Sequence, residues 1–178
     1  MKTLSPVQQK FVLHWGEMGT RWGVNRTVAQ IHALLYLSPE PLNAEEIATT
    51  LSIARSNVST SLRELEGWGI VKAVHILGDR REHYQTTKDV WEMARVILAE
   101  RKRREIDPTL GLLRECVADA EKGGKAEAQK RERLKAMLEF VEMVTSLYTQ
   151  MSSLPTGAIQ GLLATQGKLR NLFGRQQG

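Results

Sequence analysis

Apolar residues recur through most of the chain at helical intervals, and at one place only the period shortens to two. Phe11, Trp15 and Met18 stand four and three residues apart, which is one face of a helix. Ser5-Pro6 ahead of them reads as an N-cap followed by proline at the first helical position. Gly16, Gly19 and Gly23 weaken this segment and predict an end near Thr20. A second helix is expected over 24–37, with Val28, Ile31, Leu34 and Leu35 as its stripe and Ser38-Pro39-Glu40-Pro41 as its stop. Asn43 is an N-cap with Glu46 at the capping-box spacing, and Glu45 and Glu46 suit the positive end of the helix dipole. That short helix buries Ile47, Ala48 and Leu51. Ser52-Ile53-Ala54 then turns tightly into a helix over 55–68, with Val58, Leu62 and Leu65 inward and Gly67 and Gly69 at its end. Here the period drops to two. Ile70, Val71, Val74 and Ile76 read as a strand, Leu77–Arg81 as a turn, and Glu82–Thr86 as a return strand.

The second half is helical. Thr87 or Asp89 caps a helix that passes through Trp91, Ala94, Ile97 and Leu98 into the basic run Arg101-Lys102-Arg103-Arg104. Pro108 predicts a break, followed by a helix through Leu110, Leu112, Leu113 and Val117. Glu121–Lys125 is a loop. One long helix is expected over 126–153, with Leu134, Met137, Val141, Val144, Tyr148 and Met151 as a heptad seam flanked by Leu138, Phe140 and Leu147. Pro155 ends it, and a last amphipathic helix is expected over 158–173. The fold class is therefore mostly α: a winged helix-turn-helix with a small β-hairpin wing over 1–88, and helices for dimerisation and effector binding over 89–178.

Composition narrows the class of function. An apolar fraction of 42% and a charged fraction of 25% are ordinary for a soluble globular chain, and the net charge of +5 favours an acidic partner, nucleic acid first. Cys116 is the only cysteine, so neither an intrachain disulfide nor a cysteine-rich zinc site can form. Its apolar neighbours predict a buried, inert thiol rather than an oxidation sensor. The first residues lack a basic region followed by an apolar core, and no stretch approaches the roughly 20 apolar residues of a membrane span, so a cytoplasmic address is expected.

The order helix, tight turn, helix, strand, turn, strand over 43–86 is that of a winged helix-turn-helix, which braces one helix across phosphates and lays the next in the major groove. Arg55, Ser56, Asn57, Ser59, Thr60 and Arg63 are the short hydrogen-bonding side chains and arginines that such a helix turns outward. A merely solvated face would favour Glu, Lys and Ala, because Ser, Thr and Asn are poor helix formers. Arg80 and Arg81 at the hairpin tip suit the minor groove or flanking phosphates. The run 101–104 is interleaved with Glu100, Glu105 and Asp107 and reads as a salt-bridged solvated helix. His14, His32, His75 and His83 show no metal spacing, and no nucleophile–base set or phosphate loop appears, so no enzyme, metal or cofactor is expected. Trp15, Trp22, Trp91 and Tyr148 either line an effector pocket able to hold a quaternary ammonium or belong to the core.

The stretch Trp22–Asp107 is similar to the GbsR-type branch of the MarR-like transcriptional regulators. LRELEGWGIVK and the wing GDRRE carry most of the resemblance, within WGVNRTVAQIHALLYLSPEPLNAEEIATTLSIARSNVSTSLRELEGWGIVKAV and GDRREHYQTTKDVWEMARVILAERKRREIDP. It implies a dimeric winged-helix protein that binds promoters, with Arg55–Trp68 as recognition helix and Ile70–Thr86 as wing. The expectation is a homodimeric transcriptional regulator, a repressor, on a pseudo-palindromic operator of double-stranded DNA, with a possible small-molecule effector. The alternatives are a non-sequence-specific architectural DNA binder and a winged-helix protein-interaction module.

Overall fold

The computed structural model describes residues 4–124, 128–155 and 157. The expected last helix over 158–173 lies outside the described residues. The chain divides into two compact units, 1–98 and 99–178, with the boundary inside a helix.

In the first unit, α1 (Pro6–Arg21) opens with a complete capping box: Ser5 Oγ accepts from the Gln8 N–H while Gln8 Oε1 accepts from the Ser5 N–H. The helix passes straight through Gly16 and Gly19. These glycines make room for α2 (Arg26–Leu37), since a Cβ at Gly19 would lie 2.5 Å from Ala29 Cβ. Asn25 caps α2, and the chain stops at Ser38 ahead of the two prolines, as expected. The sheet has three strands, one more than the sequence predicts, in the antiparallel order β1-β3-β2. β1 (Leu42–Asn43) is two residues long and pairs Leu42 with Tyr84 and Asn43 with His83 on β3 (Glu82–Thr86). A two-residue strand is too short to show a period. β2 (Val71–His75) pairs with β3 from Val71↔Thr86 to His75↔Glu82.

Between β1 and β2 lie α3 (Ala44–Leu51) and α4 (Arg55–Gly67). Asn43 and Glu46 close the expected box: Asn43 Oδ1 accepts from the N–H groups of Glu45 and Glu46, and Glu46 Oε2 accepts from the Asn43 N–H. The core joins Val28, Ile31, Leu34 and Leu35 of α2, Ile47 of α3, Val58, Leu62 and Leu65 of α4, Ile70 just before β2, Val71 of β2, and Met93 of α5 (Val90–Arg101). Asp89 caps α5, accepting from the N–H groups of Trp91 and Glu92.

The expected break at Pro108 is a π-helical turn, Lys102–Ile106, joining α5 to α6 (Asp107–Lys122). Proline has no N–H and crowds the carbonyl four residues back, and the wider turn accommodates both demands. Thr109 Oγ1 donates to the Glu105 carbonyl at 2.7 Å. The basic run is ion-paired as its interleaving predicts: Arg101 with Glu105, Lys102 with Asp107 and Arg103 with Glu100. α7 (Ala128–Ser153) lies antiparallel to α6, since Arg114 meets Glu142 and Glu121 meets Lys135. Cys116 is partly exposed, not buried as expected.

The heptad seam divides in two. Leu134, Val141 and Tyr148 are half-buried together with Leu138, whereas Met137, Val144 and Met151 join Phe140 and Leu147 in a second stripe. Members of that second stripe are each about half exposed. Periodicity alone merged two neighbouring faces of one helix.

Candidate nucleic-acid interface

The turn between α3 and α4 is three residues long, and Ser52 makes it possible by adopting a left-handed conformation at φ 55° and ψ 44°. Ile47 of α3 and Val58 and Leu62 of α4 are almost wholly buried, which fixes one helix against the other. The opposite face of α4 is thereby turned to solvent. Arg55, Ser56, Asn57, Ser59, Thr60 and Arg63 are all exposed on it, as the sequence predicts. Ser61, in the same polar run, is buried at the α4 inner face.

Among the described residues, none of those six exposed side chains makes a hydrogen bond or ion pair. α4 also differs from α1, α2 and α3 at its start. Its N-cap is Ala54, which supplies no side-chain acceptor. The N–H groups of its first turn therefore point outward beside Arg55 and Ser56, an arrangement that suits an anion.

The two wing arginines, alike in sequence, do different things. Arg81 is engaged with Asp79, whose Oδ1 accepts from both the Arg81 backbone N–H and its Nε at 3.0 Å. Arg81 Nη1 also approaches Glu45 of α3 at 4.0 Å, so this side chain links the wing to the first residues of the brace helix. The Arg81 guanidinium and backbone N–H hold the Asp79 carboxyl well below the usual carboxylate range. His83 Nε2 lies 3.6 Å from Asp79 Oδ2, while its Nδ1 is 3.0 Å from the Arg81 carbonyl. Arg80 is exposed and has no side-chain partner among the described residues. It is the cation left available at the tip.

Lys88 carries a role the sequence did not reveal. Its ammonium donates to the carbonyls of Leu35, Tyr36 and Ser38 at 2.7, 2.8 and 2.7 Å. A cation thus caps the C-terminus of α2 from the segment that follows β3. No local pattern signals it, because the partners lie about fifty residues away.

Of the four aromatics expected at an effector pocket, the three in the first unit do not share one cavity. Trp15 lines a small cavity with Phe11, His32, Ala33, Tyr36, Val90 and Met93. Trp22 is the half-exposed C-cap of α1, and Trp91 is partly exposed on α5, and neither lines that cavity. Tyr148 belongs to the other unit. Among the described residues there is no His/Cys/Asp/Glu group able to hold a metal ion and no helix long and apolar enough to cross a membrane.

Comparison with known proteins bears on this first unit most directly. No curated protein matches the chain. A crystal structure described as a transcriptional regulator is similar over 83% of this chain and 96% of its own, at 22% identity and a TM-score of 0.57. The MepR–DNA complex of Staphylococcus aureus aligns over 93% of this chain and 91% of its own at 14% identity and a TM-score of 0.36. The regulator Tm0710 of Thermotoga maritima aligns over 83% and 92% at 17% identity and a TM-score of 0.39. The fold is a winged helix-turn-helix, and residues 22–82, the segment from the end of α1 into β3, match the MarR family.

Proposed function

We propose that the protein is a sequence-specific DNA-binding transcriptional regulator of the GbsR-like branch, acting as a homodimeric repressor on a pseudo-palindromic operator. The observation that carries this reading is the outer face of α4. Six short polar or arginine side chains stand exposed and unpartnered on a helix whose other face is locked into the core. Four of the six, Ser56, Asn57, Ser59 and Thr60, are poor helix formers that do not serve helix stability, and the exposed set matches what a major-groove reader requires.

In this reading Asn57 pairs with adenine and Arg63 with guanine through two bonds each, while Arg55, Ser56, Ser59 and Thr60 hold phosphates and register. The uncapped start of α4 takes a phosphate. Arg80 reaches the minor groove or its flanking phosphates, and Arg81 keeps the wing upright by its grip on Asp79 and its approach to Glu45. The match of residues 22–82 to the MarR family supports the same assignment.

The dimer seam is the exposed stripe Met137, Phe140, Val144, Leu147 and Met151, spaced three, four, three and four residues apart. Pairing two copies there sets two recognition helices to read half-sites about 34 Å apart. The 1–88 region is the reader and 89–178 the dimerisation and effector region, within a cytoplasmic protein that is not an enzyme.

The test compares Asn57→Ala and Arg63→Ala with the parent protein on a selected operator and on scrambled duplex. Both variants are expected to lose specific affinity by about ten- to a hundredfold while keeping their affinity for scrambled duplex. Equal losses on both duplexes would remove α4 as the reading element.

A further inference from the structure

Leu77 is the most exposed large apolar side chain among the described residues, at 104% relative exposure, and it stands at the apex of the wing. The Asp79 N–H donates to the Ile76 carbonyl at 3.0 Å, which closes a four-residue turn with Leu77 and Gly78 as its central pair. Gly78 has φ 88°, the positive value that the third position of a type II turn requires. The turn needs this glycine but has no need of the leucine, since its second position accepts most residues. Ile76 beside it is 41% exposed, so the tip ends in two apolar side chains, neither of which belongs to the core of the unit.

The apex is tethered, and its charge suits a polyanion. Asp79 is neutralised by the Arg81 guanidinium, whose Nη1 also approaches Glu45 of α3 at 4.0 Å. Arg80 stays exposed next to the tip. A single exposed leucine on an open surface needs no explanation. Two apolar side chains at the end of a fixed hairpin, with a free arginine beside them, are the combination by which minor-groove binders insert an apolar wedge between bases.

From this apex we infer that Leu77 enters the minor groove and wedges against a base-pair step about half a helical turn from the centre of each half-site, selecting a step that unstacks easily. The inference rests on the reading of α4 as the DNA-reading helix. An apolar side chain offers neither donor nor acceptor, so it cannot tell bases apart by their edges. It discriminates by deformation instead. Unstacking a step is costly, and burying one leucine offsets only part of that cost, so affinity depends on how readily the step opens. TA and CA/TG steps are flexible, whereas A-tracts are stiff. Specificity then has two origins: base edges read by Asn57 and Arg63 in the major groove, and a flexible step under Leu77.

The experiment uses the full-length protein on duplexes built from its selected operator, with TA or AA at the flanking step and the half-sites unchanged. Anisotropy gives the affinity, and a fluorescent adenine analogue at the flanking step brightens when the step unstacks. The parent protein is expected to bind the TA operator about three- to tenfold more tightly than the AA operator and to brighten the probe. Leu77→Ala, at a side chain that supports no packing, is expected to lose about three- to tenfold on the TA operator, to stay within about twofold on the AA operator and to leave the probe dim. Leu77→Met, still an apolar wedge, should restore both the preference and the signal. Arg80→Ala should weaken both operators and keep their ratio, which separates the wedge from the charge beside it. Equal affinity of the parent protein for the two operators, or a preference that survives Leu77→Ala, would overturn the wedge while leaving half-site recognition intact. Failure of the parent protein to enrich any inverted half-site would overturn the reading of α4, and the wedge with it.

Discussion

Replacing Gly19 by alanine isolates what holds α1 to α2. At Gly19 an added Cβ meets Ala29 Cβ at 2.5 Å, an atom fixed directly to the α2 backbone that has no rotamer by which to retreat. The helices must therefore move apart, and overpacking of this kind costs about 1–3 kcal/mol. Alanine in place of glycine inside a helix returns about 0.5–1 kcal/mol. The net is a loss of about 1 kcal/mol. Gly16 provides the control three residues earlier on the same helix. Its added Cβ meets Gln30 Cγ at 2.7 Å and Arg26 Cγ at 3.2 Å, both on long side chains that can swing aside. Gly16→Ala is expected to be neutral or to stabilise by up to about 1 kcal/mol. Urea unfolding at constant protein concentration reads both, with the m-value expected to stay the same. Placing Gly19→Ala in an Ala29→Gly background should cut its cost, since the two positions share one contact. If the two single alanines prove equally stable, close approach at Gly19 is not what sets the α1–α2 packing.

Arg80→Ala is expected to weaken binding to every duplex alike and to reduce the slope of log affinity against log salt by about one, read by fluorescence anisotropy over a salt series. A loss confined to the operator would make Arg80 a base reader. The lowered pKa of His32 makes stability depend on pH. Between its unfolded value near 6.5 and its folded value of about 4 the unfolded chain binds the extra proton, so stability falls as pH drops through that window, by at most about 3 kcal/mol. His32→Leu should flatten that limb in urea titrations at successive pH values, and an unchanged limb would assign the acid sensitivity elsewhere. Leu147→Glu, in the middle of the exposed α7 stripe, should convert a dimer to a monomer by sedimentation equilibrium and lower operator affinity with it. A variant that stays dimeric would move the interface off this face.

What the sequence made legible is what local chemistry specifies. Asn43 and Glu46 announce a capped helix three residues apart, and the box forms between those two side chains. The spacing of Val58, Leu62 and Leu65 defines the inner face of α4, and so, by exclusion, the exposed set from Arg55 to Arg63. Features set by distant partners were not legible. β1 exists because Leu42 and Asn43 find Tyr84 and His83, some forty residues on. Gly16 and Gly19 read as helix weakeners when the neighbouring helix is left out, and they are packing residues when it is present. Pro108 signals a stop by its own chemistry, yet a wider turn absorbs it. Arg80 and Arg81 cannot be told apart by type, and only the placement of Asp79 and Glu45 separates a held cation from an available one.

The most direct test of the account is to select binding sites from a pool of genomic fragments with the purified protein at near-physiological salt. The account predicts an enriched motif of two inverted half-sites, their centres about one helical turn apart, as two α4 helices paired through α7 would read. Retention of all fragments alike, or of none at any salt concentration, would contradict it.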